Sequence, residues 1–154
     1  MRFISFVAPA VLMVAGPVQA TDWSAVSSLD AAAKRIGANV FYEGANAGSC
    51  AKKGLLGFYR PSTDTIVICQ KRIHEHGQDL VETLQHETWH AAQDICTGRP
   101  VLSDQQMRAA ISASDRAIMR SSYDSRKHRM EAEARALEKI PVAAFLRGLS
   151  HYCG

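Results

Sequence analysis

The hydrophobic pattern of this chain changes its period near Asp79, and this change limits the possible folds more than any other feature. Before it, residues 39–42, 55–59 and 65–69 form short runs rich in β-branched and aromatic side chains, which are typical of strands. After it, apolar residues recur at helical spacing along one long segment that ends near Gly98. The sequence therefore predicts an α+β fold, with most helices after the strands.

Local signals predict the remaining elements. A helical pattern covers residues 24–36 and is followed by Gly37, and a short linker joins the runs 55–59 and 65–69 into a hairpin. Ser103 and Gln106 predict a capping box for a helix to about residue 119. Two more helices are predicted, over residues 125–139 and from Pro141 to about residue 151.

The first twenty residues have the pattern of a secretory signal peptide. Arg2 precedes an apolar run that ends in Gly16 and Pro17, and Ala20 provides a small residue at the expected cleavage site. The run is short for a membrane span, which disfavours an N-terminal anchor. We therefore expect residues 21–154 to form a single secreted or periplasmic domain.

Charge and cysteine content limit the environment and the partners. The net charge is +3, or +2 without residues 1–20, too low to indicate a nucleic-acid or membrane surface; we expect a monomer with no membrane span after the signal. Four cysteines predict two disulfide bonds in an oxidising compartment. Three pairings are possible, and we favour Cys50–Cys69 and Cys96–Cys153 because each would connect neighbouring elements.

The segment His86-Glu87-Thr88-Trp89-His90 lies inside the predicted long helix. Residues four apart lie on one helical face, so both imidazoles can face a single ion. Neutral imidazoles are good ligands for Zn²⁺, which lowers the pKa of a bound water. Glu87 is rotated by about 100° from His86 and can reach such a water as a general base. The alternative is a pair of surface histidines beside a solvated glutamate.

With this motif the chain resembles the zincin metallopeptidases, in which His-Glu-x-x-His lies on an active-site helix after a small sheet. The likeness covers about residues 54–140 and extends to small secreted bacterial domains regarded as metallopeptidases. It implies a zincin-like fold, in which a three-stranded sheet with a hairpin packs on the active-site helix and further helices follow. It also implies a Zn²⁺ cofactor and a peptide or protein substrate, which pairs with an exposed edge strand at residues 65–69.

Zincin subtypes differ in the third metal ligand. Gln93 and Cys96 stand where the metzincin pattern requires Gly and His, and no Gly-Thr-x-Asp-like segment follows. The chain therefore looks like a gluzincin, with a carboxylate ligand on a downstream helix at residues 129–137.

Glu131 and Glu133 are the two candidates for this ligand, and only one can face the metal because two residues on a helix are about 200° apart. Lys127 and Arg135 lie four residues to either side of Glu131 and suggest surface ion pairs. Glu133 adjoins the apolar stripe that includes Leu137. We therefore favour Glu133 as the ligand and keep Glu131 as the alternative, although both could also lie on a solvated face.

Other residues have weaker signals. Tyr123 and His128 are candidates to stabilise a transition state, as are His151 and Tyr152. His74 and His76 would share one side of an extended segment and could hold a second metal.

The alternative to an enzyme is a non-catalytic, disulfide-stabilised zinc-binding interaction domain with the zincin shape. Glu87 distinguishes the two, because a structural zinc site does not require a carboxylate between its ligands.

Overall fold

The computed structural model describes residues 21–43, 48–76, 79–122 and 127–154, with the backbone alone for residues 75–76 and 118–122. The predicted signal peptide and the predicted cleavage site lie outside the described residues. In chain order the elements are α1 (Trp23–Arg35), β1 (Asn39–Tyr42), β2 (Gly57–Arg60), β3 (Thr65–Ile68), α2 (Gln70–His76), α3 (Leu80–Ala92), α4 (Asp104–Ala110), α5 (Ala113–Ser122), α6 (His128–Leu137) and α7 (Val142–Cys153). The described part of the chain is thus α+β, as the sequence predicts, with seven α-helices and a small mixed sheet.

The sheet has the strand order β1-β3-β2. β2 and β3 form the predicted antiparallel hairpin, with Phe58 opposite Val67, whereas β1 pairs with β3 in parallel. β3 therefore lies at the centre of the sheet, and the prediction that residues 65–69 form an exposed edge is wrong. The edges of the described sheet are β1 and β2.

Helix α3 begins at a capped end. The Asp79 carboxylate accepts hydrogen bonds from the backbone N–H groups of Val81 and Glu82, which satisfies donors that the helix itself cannot pair. After Ala92 the chain continues as a π-helix (Gln93–Thr97) and stops at Gly98, whose φ of 63° is left-handed. The predicted long helix is therefore present, with a final turn wider than an α-helical one.

The later helices agree with the sequence except at one break. Ser103 and Gln106 form the predicted capping box, but the helix predicted to residue 119 is divided into α4 and α5 at Ile111. There the Ser112 hydroxyl accepts the N–H of Asp115 and so begins a new helix. Helix α2 was not predicted: because residues 70–76 are helical, the assumption of an extended segment behind the proposed second metal site is wrong.

The main core lies around α3, which packs against α1, α6, α7 and the sheet. Leu29 of α1, Ile66 of β3, Leu84 of α3 and Phe145 of α7 are each no more than 1% exposed. The Trp89 ring meets Phe145 edge-on, with centroids 5.9 Å apart. This packing fixes the rotation of α3 about its axis, so His86 and Glu87 lie on a face that is also covered. None of the helices in the described ranges has the length and hydrophobicity that a membrane span requires.

Both disulfide bonds that the sequence analysis favours are present. Cys50–Cys69 joins the segment before β2 to the end of β3. Cys96–Cys153 joins the π-helix to the last turn of α7. The second bond holds the chain just beyond the His-Glu-x-x-His segment against the C-terminal helix.

Candidate metal centre

Packing of α6 on α3 brings three possible metal ligands together. His86 and His90 lie one turn apart on α3, and their Nε2 atoms are 3.1 Å from each other. The carboxylate of Glu131 on α6 lies between them, with Oε2 3.2 Å from His90 Nε2 and Oε1 3.4 Å from His86 Nε2. Among the described residues these three form a group whose ligand atoms could hold one ion.

The spacing of these atoms can be compared with the geometry of zinc. Zinc binds nitrogen and oxygen at about 2.0–2.1 Å, so the edge of a tetrahedral ligand set is about 3.3–3.4 Å. The Nε2–Nε2 separation of 3.1 Å is close to that edge, as are the separations of 3.4 and 3.2 Å from His86 and His90 Nε2 to the two different oxygens of Glu131. A zinc ion held by the two nitrogens and one carboxylate oxygen would have three protein ligands, the number found in catalytic rather than structural zinc sites.

Hydrogen bonds on the far side of each ring orient both imidazoles. His86 Nδ1 lies 2.8 Å from Glu138 Oε2, and His90 Nδ1 lies 2.9 Å from Gln93 Oε1. Because both partners are acceptor oxygens, the hydrogen of each neutral ring must lie on Nδ1. The lone pair of the ring is then on Nε2, which faces the cluster. A partner of this kind is the usual companion of a histidine that binds metal.

The electrostatics of the cluster favour a cation. Burial acts to lower the pKa of His86, but its hydrogen bonds to Glu131 and Glu138 and the charge of Glu87 outweigh burial and raise this pKa to about 9. Burial acts to raise the pKa of Glu131, and the two imidazoles outweigh it and lower this pKa far below its usual range. Arg135 contacts Glu131 and Glu138 from the side. The buried carboxylates thus create a negative potential at the point that both Nε2 atoms face.

Glu87 lies beside the cluster without joining it. The residue is 7% exposed, and burial raises the pKa of its carboxyl group, against the opposing effect of His86 and His90. The backbone of Tyr59 in β2 also acts to lower this pKa. Gly57 of β2 lies so close that an added Cβ would be 3.1 Å from Glu87 Cγ. The edge strand β2 therefore faces Glu87 directly.

Two adjoining cavities, of about 440 and 350 Å³, form a cleft with His86 and Glu87 in the walls of both. The larger one is lined on one side by apolar side chains, including Leu55, Phe58 and Met130. The smaller one has charged walls, including Glu82, Arg135 and Lys139. Gly57 lines both cavities, so the edge strand runs past the cluster along the cleft.

The choice of Glu133 as the third ligand is corrected by the structure, which places Glu131 at the cluster instead. Glu133 is fully buried and its carboxylate accepts hydrogen bonds from Trp89 Nε1 and Gln93 Nε2, both at 2.8 Å, and from the backbone N–H groups of Val101 and Leu102. The apolar neighbours of Glu133 in the sequence thus correctly indicated that it is buried. The partners of its carboxylate, however, are N–H donors and not the two imidazoles. Glu131 lies on the buried side of α6, where Arg135 is its ion-pair partner within the fold.

The residues predicted to stabilise a transition state lie away from the cluster or outside the described residues. Tyr123 lies outside the described residues. His128 lines a different cavity, of about 240 Å³, beside α4 and α5. His151 is exposed on α7, and Tyr152 packs edge-on against Trp89 with ring centroids 6.1 Å apart. The structure therefore brings none of these three described side chains to the cleft.

Four residues of the site were missed or undervalued by the sequence analysis. Gln93 lies three residues after His90 on the same helical face, and Glu138 lies seven residues, or two turns, after Glu131; both spacings were available as signals. Tyr59 and Asp94 line the larger cavity, where the Tyr59 hydroxyl lies 3.0 Å from Asp94 Oδ2 and 2.8 Å from Asp64 Oδ1. Nothing local indicated that Tyr59 would meet Asp94, which lies 35 residues further along the chain.

The fold and the cluster define an α+β domain with two disulfide bonds and a group of two histidines and one glutamate that could hold a metal. The chain belongs to the family described as Domain of unknown function (DUF8637), whose model matches residues 33–153 and so includes the whole cluster. No curated protein and no solved structure matches the chain.

Proposed function

We propose that this protein is a secreted zinc-dependent peptidase. The observation that carries the proposal is the convergence of His86 Nε2, His90 Nε2 and the Glu131 carboxylate at mutual separations of 3.1–3.4 Å, with both Nδ1 atoms engaged by acceptors. Three protein ligands with an open fourth position are typical of catalytic zinc sites. The two disulfide bonds support an oxidising compartment and hence secretion.

Each residue of the centre has a separate role in the proposal. His86, His90 and Glu131 hold the ion, while Glu138 and Gln93 orient the two rings. A zinc ion held here would supply a Lewis acid that acidifies water and polarises a carbonyl oxygen. The Glu87 carboxylate accepts a proton from the attacking water and returns it to the leaving nitrogen. Its position beside the histidines, on the wall of both cavities, supports this role.

An extended peptide is the substrate that suits the cleft. β2 is an edge strand in the described sheet, and its residues Gly57, Phe58 and Tyr59 line the larger cavity together with Glu87. An exposed edge can bind an extended chain through main-chain hydrogen bonds. A peptide lying along β2 would pass the cluster with its main chain close to Glu87.

The test is peptide hydrolysis by the zinc-loaded protein, with Glu87→Gln as the variant. Glu87→Gln should bind zinc as the parent does and lose cleavage of a mixed peptide library by a factor of about 100 or more, because a general base contributes about 10²–10⁴ to the rate. Asp30→Asn is the control: it makes the same carboxylate-to-amide change on α1, where the Asp30 carboxylate pairs with Lys34, away from the cleft. This control should retain cleavage.

Two results would contradict the proposal. A parent protein without stoichiometric zinc binding would remove the metal centre. Zinc binding with no cleavage, or with cleavage that Glu87→Gln leaves unchanged, would favour the non-catalytic interaction domain.

A further inference from the structure

We infer that Glu133 and Gln93 act together as positioning residues that set the tautomer of His90 and thereby its capacity to bind metal. The inference rests on the metal centre in the proposed function. It concerns two residues that are themselves 0% exposed and do not face the ion.

The chain of hydrogen bonds begins at Glu133. Its four partners are all N–H groups: the Trp89 indole, the Gln93 amide, and the backbone of Val101 and Leu102. Each carboxylate oxygen accepts two of them, so a proton on either oxygen would meet a donor. Glu133 is therefore an acceptor only.

The contact with Glu133 fixes the orientation of the Gln93 side-chain amide. Its Nε2 donates to Glu133 Oε2 at 2.8 Å and to the backbone carbonyl of Met130 at 2.9 Å. Neither partner can donate, so the reverse orientation of the amide would place oxygen against two oxygens. The Gln93 Oε1 atom must consequently be the one that faces His90.

The orientation of the amide then decides the state of the ring. Gln93 Oε1 lies 2.9 Å from His90 Nδ1, which must therefore carry the hydrogen. In the neutral ring Nε2 is left with its lone pair, directed towards Glu131 and His86. His86 reaches the same state through direct contact with the carboxylate of Glu138, whereas His90 reaches it through an amide held by a second carboxylate.

Gln93→Met tests the relay because methionine has a similar shape but no hydrogen-bonding amide. Gln85→Met is a matched control: Gln85 lies on α3, eight residues before Gln93, is 2% exposed, and donates from Nε2 to the carbonyls of Leu137 and Ile140 at the end of α6. Each variant removes a buried amide between α3 and the α6 region, and only Gln93 contacts a histidine of the cluster.

The first readout is ring-nitrogen NMR of the metal-free protein, in which the shifts of the two His90 ring nitrogens identify the one that carries the hydrogen. In the parent and in Gln85→Met, His90 Nδ1 should carry the hydrogen; in Gln93→Met the signal should shift towards the Nε2–H tautomer. The second readout is zinc affinity by competition with a chelator. Gln93→Met should bind zinc about 10–100-fold more weakly, while Gln85→Met should match the parent.

Glu133→Gln provides an independent variant should Gln93→Met fail to fold. The NH₂ group of the new glutamine would face the N–H donors that the Glu133 carboxylate now accepts. This favours rotation of the Gln93 amide, and with it the same change in the tautomer of His90. Unchanged His90 Nδ1 protonation in the variant that folds, or an equal loss of zinc affinity in Gln85→Met, would overturn the inference. Absence of zinc binding in the parent would instead overturn the metal centre, and the NMR readout would still decide whether the relay exists.

Discussion

Replacement of Glu131 by glutamine is the most direct test of which carboxylate completes the metal centre. The substitution keeps the shape of the side chain and removes its negative charge from a residue 4% exposed and 3.2 Å from His90 Nε2. A neutral amide is a much weaker ligand for Zn²⁺ than a carboxylate. We therefore expect the zinc affinity to fall by about 100-fold or more, which is at least the largest loss typical of removing a residue that supports a ligand without touching the metal.

The thermodynamic consequence follows from binding to the folded state alone. At a free zinc concentration of about 1,000 times the parent Kd, zinc stabilises the parent by about 4.1 kcal/mol, and a variant with 100-fold weaker binding by about 1.4 kcal/mol. For a domain of this size 1 kcal/mol corresponds to about 2–4 °C in Tm. Zinc should thus raise the Tm of the parent by about 8–16 °C and that of Glu131→Gln by about 3–6 °C.

The assay is thermal unfolding by circular dichroism, with and without zinc, so that each protein serves as its own reference. Asp30→Asn, which removes a carboxylate on α1 that pairs with Lys34 rather than with the cluster, is the control and should show the full shift. A zinc-dependent shift in Glu131→Gln equal to that of the parent would refute Glu131 as the ligand. A parent without any shift would refute the metal centre as a whole.

Two further predictions concern the support of the site. Gly57→Ala should lower the free energy of unfolding by about 1–3 kcal/mol, as overpacked sites do, because its Cβ would lie 3.1 Å from Glu87 Cγ, Thr83 Cγ2 and the carbonyl oxygen of Val67; an unchanged denaturant midpoint would show that β2 can move away from α3. Replacing both cysteines by serine should cost about 4 kcal/mol for Cys96–Cys153 and about 3 kcal/mol for Cys50–Cys69, since the first closes the longer loop, with a sequence separation of 57 against 19. Urea unfolding of the two double variants measures both costs, and the reverse order would contradict the loop-entropy explanation.

Elements with a local cause were predictable. Asp79 caps α3, Gly98 ends the segment that follows it, and Ser103 with Gln106 caps α4, each through contacts within a few residues. The break at Ile111 was missed because the cap at Ser112 competes with a continuous helical pattern, and such competition depends on small differences in local hydrogen bonding.

The errors in the site arose where two distant segments meet. Lys127 and Arg135 around Glu131 suggested a surface position, yet Arg135 contacts Glu131 at 3.1 Å on the buried side of α6. The resemblance to zincins implied that residues 65–69 form an edge strand, and nothing in the hairpin itself shows that β1 will pair with its other side. Both questions depend on how one element packs against another across many residues of chain.

The sequence by itself determined that His86 and His90 share a helical face with Glu87 beside them, because spacing within one helix follows from its 3.6-residue turn. It also indicated the α+β class and favoured the observed cysteine pairs. Only the tertiary structure decided that Glu131 meets the two imidazoles while Glu133 meets Gln93, because that choice depends on the rotation of α6 against α3, which side-chain packing across the whole core sets.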